Sequence, residues 1–394
     1  MFEYRLLDDP KQVLPIAKSA FAMTVPEQPA AEEWLAMSLD HGQKLYGIYE
    51  GDLLLAAYML YDFRMRLRKS VVPMGGIGLL CSRLDARGRG AVRLMLRSSL
   101  ETMQSKGHVV SVLDPFDESF YRKYGWEKFS RHQTMTLSPG LLQIPDEIGI
   151  DLVTSDLAFP DSASMDFYNT YASTHYSLVQ RGKSEWDCRT KVFSWSDETA
   201  ARGVVRFAQA DRVVGLMGYT LTRKRGEYRS TFNVNLLAHA DGSVLREMMR
   251  YLKRLSHQVA SIRIDLPMDA EIWPYLTHRP DQWTIRDAFM IRIISLEALN
   301  GLAIEAPEMS VSIEVDDEQA PWNQGIWELS VESCVLRVRR GEGADLRCGI
   351  GALSSVLSGF SSFEELISAQ LVQPHETYRK QDFPKTTPFL ADYF

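Results

Sequence analysis

The residues best placed to do chemistry lie in one short run, Arg87-x-x-Gly90-x-Val92. It follows an apolar segment ending at Leu80 and precedes a stretch with apolar residues at helical spacing. A helix that begins here presents free N–H groups and a partial positive charge. Gly88 and Gly90 let the backbone come close to a ligand, and Arg87 and Arg89 add charge. Strand, glycine turn and helix in that order make a cradle for a pyrophosphate. The run is not a dinucleotide fingerprint, because Gly-x-Gly-x-x-Gly and a following acidic residue are missing. It is not a Walker loop, because Gly-Lys-Ser/Thr is missing at this point.

Other chemistry has weaker support. Cys81, Cys188, Cys334 and Cys348 are scattered, with no Cys-x-x-Cys pair, which is the usage expected of a reduced, cytoplasmic protein. The eight histidines show no metal-ligand spacing, so no metal is expected. No histidine pairs recognisably with Cys81, and no nucleophile is assigned there. The chain ends Phe389-Leu390-Ala391-Asp392-Tyr393-Phe394. A disordered tail usually ends polar, so three aromatic residues in the last six predict a docked tail.

The elements that position these residues read as mixed α and β. Phe2 to Leu7 is a predicted strand, and Pro10 opens a helical pattern. Lys44 to Tyr49 and Leu53 to Phe63 form a hairpin around Glu50-Gly51-Asp52. Val71 to Ser82 is a strand carrying Gly75, Gly76 and Gly78, which implies close approach to its backbone. A helix then runs to about Lys106, with Val92, Met95, Leu96, Leu100 and Met103 along it. His108 to Leu113 is a strand, and Phe116 to Tyr124 a short helix. Ser138-Pro139-Gly140 and Pro145 mark a linker.

The next segment echoes the first. Gly51 to Tyr58 resembles Asp211 to Tyr219, and the strand ending Leu79-Leu80 matches the one ending Leu236-Leu237. The second copy has Ala240-Asp241-Gly242-Ser243 in place of the Arg/Gly run. Two copies of one fold, one without its phosphate loop, are expected. A third segment starts near Met290, with strands at Met290 to Leu296, Trp327 to Val331 and Val335 to Val338. Leu346 to Leu357 and Phe363 to Leu371 read as helices.

Composition is compatible with this plan. Hydrophobic residues are 45% and charged residues 24% of the 394, values of a folded globular chain. The longest apolar run, Leu53 to Tyr61, is about half of what a membrane helix needs. The N-terminus has no basic stretch followed by an apolar one, so no secretion signal is expected. A net charge of −7 argues against nucleic acid and is compatible with a cationic partner.

The stretch Val72-Pro73-Met74-Gly75-Gly76-Ile77-Gly78-Leu79-Leu80 through Arg87-Gly88-Arg89-Gly90 resembles the acetyl-CoA motif of GNAT-superfamily N-acetyltransferases. With Phe120-Tyr121-Arg122-Lys123-Tyr124-Gly125-Trp126, the chain resembles the enhanced intracellular survival (Eis) family of those enzymes. The resemblance implies an α+β fold of tandem GNAT domains, mixed sheets flanked by helices, and a C-terminal sterol-carrier-protein-like domain. It spans essentially the whole chain. The implied domains are 1–140, catalytic and binding acetyl-CoA; 150–288, a degenerate GNAT domain; and 289–394, whose C-terminus docks into the active site. One position departs: the superfamily motif ends in a small residue where this chain has Val92, a bulk that crowds the pyrophosphate turn unless the side chain points into the core.

The resemblance implies site residues. Leu80, Cys81 and Ser82 would meet the pantetheine arm, and Gly88, Arg89, Gly90, Ala91, Val92 and Arg93 the pyrophosphate. Phe116 and Asp117 would border the cofactor. Tyr121 would be the general acid and the terminal carboxylate of Phe394 the general base. A tyrosine with a reference pKa of about 10 can reprotonate a thiolate near about 8.5. A terminal carboxylate is a weak base in water, but burial raises its pKa. Trp34 could line an amine pocket or pack in the core. The implied activity is direct acetyl transfer to an amine of an aminoglycoside or polyamine-like cation, or to lysine, without a metal. A homohexamer, and no nucleic-acid or membrane partner, complete the implication. The rival reading is a lipid or acyl-CoA carrier without catalysis, based on the third domain.

Overall fold

The hairpins expected in the first segment form an antiparallel meander of four strands. These are Phe2–Leu6 (β1), Lys44–Glu50 (β2), Leu53–Leu67 (β3) and Ser70–Ser82 (β4). Val13–Ala20 (α1) and Gln28–Asp40 (α2) link β1 to β2. Then come Ala91–Ser105 (α3), Val110–Leu113 (β5), Glu118–Arg122 (α4), Glu127–Lys128 (β6) and Arg131–Leu137 (β7). The computed structural model describes residues 1–7, 9–23, 28–144, 151–190, 199–224 and 226–392.

The second segment repeats the order. It has Val153–Leu157 (β8), Ser162–Thr174 (α5), Lys183–Thr190 (α6), Thr199–Gln209 (β9), Arg212–Thr222 (β10) and Ser230–His239 (β11). Gly242–Arg254 (α7), Val259–Pro267 (β12), Gln282–Asp287 (β13) and Met290–Ile293 (β14) follow. The third segment holds Met309–Asp316 (β15), Gly325–Glu332 (β16), Val335–Arg340 (β17), Leu346–Gly349 (β18), Ile350–Ser358 (α8), Phe363–Ser368 (α9) and Val372–Pro374 (β19).

Two seven-stranded sheets result, ordered β1-β2-β3-β4-β5-β14-β6 and β8-β9-β10-β11-β12-β7-β13. The orders match position by position, and one strand is exchanged. β14, encoded after the second segment, lies beside β5, and β7, encoded in the first, lies beside β12. A division of the chain at 140 and 288 therefore follows the segments but not the sheets. All four residues of β14 are buried, which suits a strand covered on both faces. Its Arg292 is buried too, with its guanidinium 2.7 Å from both Asp317 oxygens.

The third segment's sheet runs β17-β16-β15-β18-β19. Leu346 to Gly349, expected as helix, is strand β18, parallel to β15, with Leu346 and Cys348 buried and Arg347 exposed. That two-residue alternation belongs to a strand, and the helix starts only at Ile350. α8 packs on the first sheet, where its Ser354 Oγ accepts from Ile293 N at 2.9 Å. Arg68, in the β3–β4 turn, donates to the carbonyls of Val356 and Leu357 at 2.7 Å. A cation on the last turn of a helix satisfies orphan carbonyls and suits the dipole.

Candidate active site

β4 and β5 pair in parallel from Met74–Val110 to Ile77–Leu113 and then part. Beyond that point β4 is bulged. Ala57 faces Cys81 and Met59 faces Gly78, so Leu79 and Leu80 together oppose Tyr58. Leu79 takes φ 50°, a strained value for leucine. Bulges re-aim the backbone, and this one lies beside the opening between the two strands. The glycines of β4 divide in role. At Gly75 a Cβ would come within 2.5 Å of Met103 Sδ, so there the close approach is by α3.

Eight residues link β4 to α3. The N-cap is Gly90 at φ 90°, with no side-chain cap, so the first N–H groups of α3 are free of one. Gly88 takes φ 77°, and a Cβ there would meet nothing within 4 Å. Gly88 is thus required by its backbone angle and not by space. Ala91 is buried at the first helical position, and Val92 packs against the core. Arg87 and Arg93 are exposed. Arg89, expected to add charge to the cradle, places its guanidinium 2.7 Å from the Glu50 carboxylate, which spends that charge on a partner. Cys81 and Ser82 pair with Ala57 and Ala56 on β3. The Cys81 thiol is buried in the core, and burial pushes it up to about 12.

The expected helix after β5 is α4, and it carries Tyr121. Asp117 caps it, accepting from Ser119 N at 2.8 Å and Phe120 N at 3.3 Å. The Asp117 carboxylate thus serves the start of the helix. Phe116 does line the cavity, and its ring meets that of Tyr121 at 5.4 Å. Tyr121 is 3% exposed. Burial first, and then the charge of Asp114, push its phenol above the ordinary value.

One cavity of about 600 Å³ joins Leu79, Leu80, Phe116 and Tyr121 to the rim of the second sheet at Gly203, Tyr219 and Thr220. Trp34 lines it and also packs on the core. Asp392 of the tail lines it as well. Phe389, Leu390, Ala391 and Asp392 are buried, as a docked tail requires. Arg68 holds the tail at the Pro384 carbonyl, and Ser177 N donates to the Phe389 carbonyl at 3.1 Å. Arg181 Nε donates to Asp392 Oδ1 at 2.9 Å, and the guanidinium lies against the rings of Tyr168 and Trp186. The carboxylate of Phe394 lies outside the described residues.

Among the cavity residues that sequence reasoning missed are Asp114, Arg181 and Glu185. Asp114 follows the apolar run of β5, at the carboxyl end of a parallel strand where α/β sheets bind ligands, so a signal existed. Burial raises its carboxyl pKa. Arg181 lies in the connection before α6 and Glu185 in the first turn of α6, neither within any motif.

Residues 6–129 and 177–293 each match an acetyltransferase (GNAT) domain family, and residues 296–391 match a sterol carrier protein domain family. An uncharacterized N-acetyltransferase of Streptomyces avermitilis is 23% identical over 365 residues, covering 88% of this chain and 87% of its own length. The crystal structure of a GCN5-related N-acetyltransferase from Anabaena variabilis superposes with a TM-score of 0.87 at 19% identity, over 100% of both chains. That of Eis1 from Mycobacterium abscessus gives 0.79 at 20% identity, again over 100% of both. These two likenesses establish a shared fold.

Proposed function

We infer that this chain, a GNAT-type acyltransferase with tandem GNAT domains and a sterol-carrier-like third domain, acetylates an amine of a cationic acceptor at the expense of acetyl-CoA. The acceptor is an aminoglycoside or polyamine-like small molecule, or a lysine side chain. The observation that carries this reading is the single cavity that joins the β4 bulge, Tyr121 and the docked tail. The free N-terminus of α3 with its glycine turn suits a pyrophosphate. The bulge at Leu79 and Leu80 suits an extended arm entering between β4 and β5. On the acceptor side, the carboxylates of Asp114 and Glu185 and the rings of Trp34, Tyr61 and Trp186 favour a cation.

Acetyl-CoA supplies the activated acetyl group as a thioester. The acceptor nitrogen attacks only when neutral, so a base takes its proton. We assign that base to the terminal carboxylate of Phe394, supported by the burial of Phe389 to Asp392 and the Arg181 anchor. We assign the proton for the departing thiolate to Tyr121 Oη. Its raised pKa keeps the phenol protonated at neutral pH, so the hydroxyl is present as a hydrogen-bond and proton donor beside the leaving group.

The cleft residues and the tail support Eis-family membership. The second reading, a lipid carrier, has less support, because the buried residues of α8 pack on β14 and Arg68 holds its last turn. A hexamer, implied by the resemblance, is supported by exposed Trp283 and Ile285 on β13, the last strand of its sheet. Light scattering checks that state. Four free cysteines support a cytoplasmic location.

The test is thiol release from acetyl-CoA by untagged protein, across aminoglycosides, polyamines and lysine peptides. Release dependent on one of these classes is expected. Tight acetyl-CoA binding with no release for any amine overturns the acceptor assignment. Neither binding nor release, with lipid bound in the third domain, favours the carrier.

A further inference from the structure

The second domain has lost the phosphate seat of the first but kept its cleft. β11 and β12 pair in parallel from Ser230 to Val234 and then part, and the β10–β11 ladder slips beside Asn235. A cavity of about 230 Å³ occupies that opening. It is the counterpart of the opening between β4 and β5, and Asn235 borders both this cavity and the catalytic one.

Its lining selects against phosphate. The helix N-terminus that would seat an anion is filled by the cap of Asp241, which accepts from Ser243 N and Val244 N. Asp265, Asp269 and Glu271 bring carboxylates to the wall, and among the described residues no lysine or arginine lines it. The rings of Tyr171, Tyr176 and Phe389 complete it. His239 also lines it, and burial lowers its pKa, which favours the neutral ring. Ring faces beside carboxylates, with no lysine or arginine among the described lining residues, recognise an organic cation.

Two further observations tie this cavity to function. Tyr176 takes φ 51°, a left-handed conformation that is strained for a ring-bearing residue. Strain of this kind persists where the surroundings demand it, typically at ligand clamps. Phe389 belongs to the tail. Its ring meets that of Tyr176 at 5.9 Å, and its carbonyl accepts from Ser177 N. Three residues later, Asp392 lines the catalytic cavity. A molecule resting on Phe389 therefore pushes on the segment that enters the catalytic cavity.

We propose that this cleft is a second ligand site, for a small organic cation, and that its occupant sets the position of the C-terminal tail in the catalytic cavity. The site goes beyond acetyl transfer: its binding does not depend on that activity, whereas its effect on the tail is read through it.

The probe is tetraethylammonium, which has no N–H to acetylate. Calorimetry compares the wild-type chain with Asp269→Asn/Glu271→Gln, two exposed positions outside the catalytic cavity whose exchange is compatible with folding. One site in the wild type, weakened about tenfold or more in the double variant, is expected from the loss of two carboxylates. No binding, or equal affinity in both proteins, overturns the site. The second arm is thiol release at a fixed acceptor concentration. A rate altered by the probe in the wild type but not in the variant supports the link to the tail. Equal inhibition of both locates the probe in the catalytic cavity and overturns the link, as does binding without any change in rate. If no amine supports thiol release, acetyl transfer fails while the calorimetric result stands.

Discussion

The two GNAT domains share strand order, bulge and cleft, yet differ at one corner. In the first, eight residues separate β4 from α3 and the helix begins at Gly90 with no side-chain cap. In the second, Ala240 and Asp241 alone separate β11 from α7, and Asp241 caps the helix with its own carboxylate. A helix N-terminus attracts one anion well. In the first domain no side chain caps that place, which suits the proposed pyrophosphate, and in the second the chain fills it itself. The comparison teaches that the capacity to hold a phosphate resides in loop length and cap identity, while the surrounding sheet is common to both.

The largest effect that sharpens the comparison concerns the tyrosine after each cleft strand. Tyr121 follows β5 and lines the cavity proposed to be catalytic. Tyr275 follows β12, and its hydroxyl points at the Gly242 carbonyl, 3.5 Å away. Tyr121→Phe is expected to lower kcat by about 10²–10⁴-fold, the usual range for a lost general acid. Its acetyl-CoA affinity stays unchanged. Tyr275→Phe should leave kcat where it was. Steady-state thiol release and calorimetry check both, and an active Tyr121→Phe enzyme removes the acid role.

The exchanged strands give the next contrast. β14 brings Arg292 into the first sheet with Asp317 as its partner. β7 brings His132 into the second, buried against Phe289 and Phe389. Burial first, and then Arg286, lower the His132 pKa from 6.5 to about 4, against an opposing pull from Asp265. The unfolded chain thus takes up the proton near pH 6.5, before the folded one does. Stability contributed by neutral His132 is complete above pH 6.5 and is lost as pH falls towards 4, by about 3 kcal/mol at most. Urea midpoints at pH 7 and 4.5 should show that loss in the wild type and a smaller one in His132→Phe. An equal loss in both locates the acid sensitivity elsewhere.

Much of this architecture was legible in the residues. The Arg87 to Gly90 turn, the hairpin echo at Asp211 to Tyr219 and the tail from Phe389 to Asp392 carry local signals, and each of these appears where its pattern predicts; Tyr393 and Phe394 lie outside the described residues. The strand exchange was not legible. Met290 to Ile293 reads as a strand in any sheet, and only long-range pairing decides that it joins β5. Strand β18 was missed because four residues of alternation run straight into the apolar face of α8. At the site, Arg181 and Asp392 were invisible because a buried ion pair between positions 211 apart leaves no spacing to read. Asp117 and Arg89 have local partners, Ser119 N and Glu50, that their motif did not announce.

Gly90→Asp tests whether one residue carries the difference between the corners. The variant pairs a non-glycine side chain with φ 90° and gives α3 the self-cap that α7 has. Left-handed strain of about 1–2 kcal/mol and loss of the anion seat, about 0.3–1 kcal/mol, both oppose a bound pyrophosphate. Acetyl-CoA affinity should fall by about 10–100-fold, by calorimetry. Unchanged affinity means that the seat lies elsewhere than at the start of α3.

Asp241→Ala is the converse change and the smallest effect. Removing a capping aspartate costs typically about 1 kcal/mol of stability. The Asp241 carboxyl is held below the ordinary carboxylate range, first by the Ser243 hydroxyl and then by the N–H of Val244. A depressed pKa contributes stability that is present above the unfolded value and is lost as pH falls through the folded one. The gap between wild type and variant should therefore be full at neutral pH and close in acid, as read from thermal melts. Freed of its cap, α7 regains an open N-terminus, but only Ala240 and the substituted position lie between it and β11, too short a turn to wrap a pyrophosphate. Acetyl-CoA should therefore still bind at a single site per chain. A second site appearing in this variant would mean that the cap alone, and not loop length, separates the two domains.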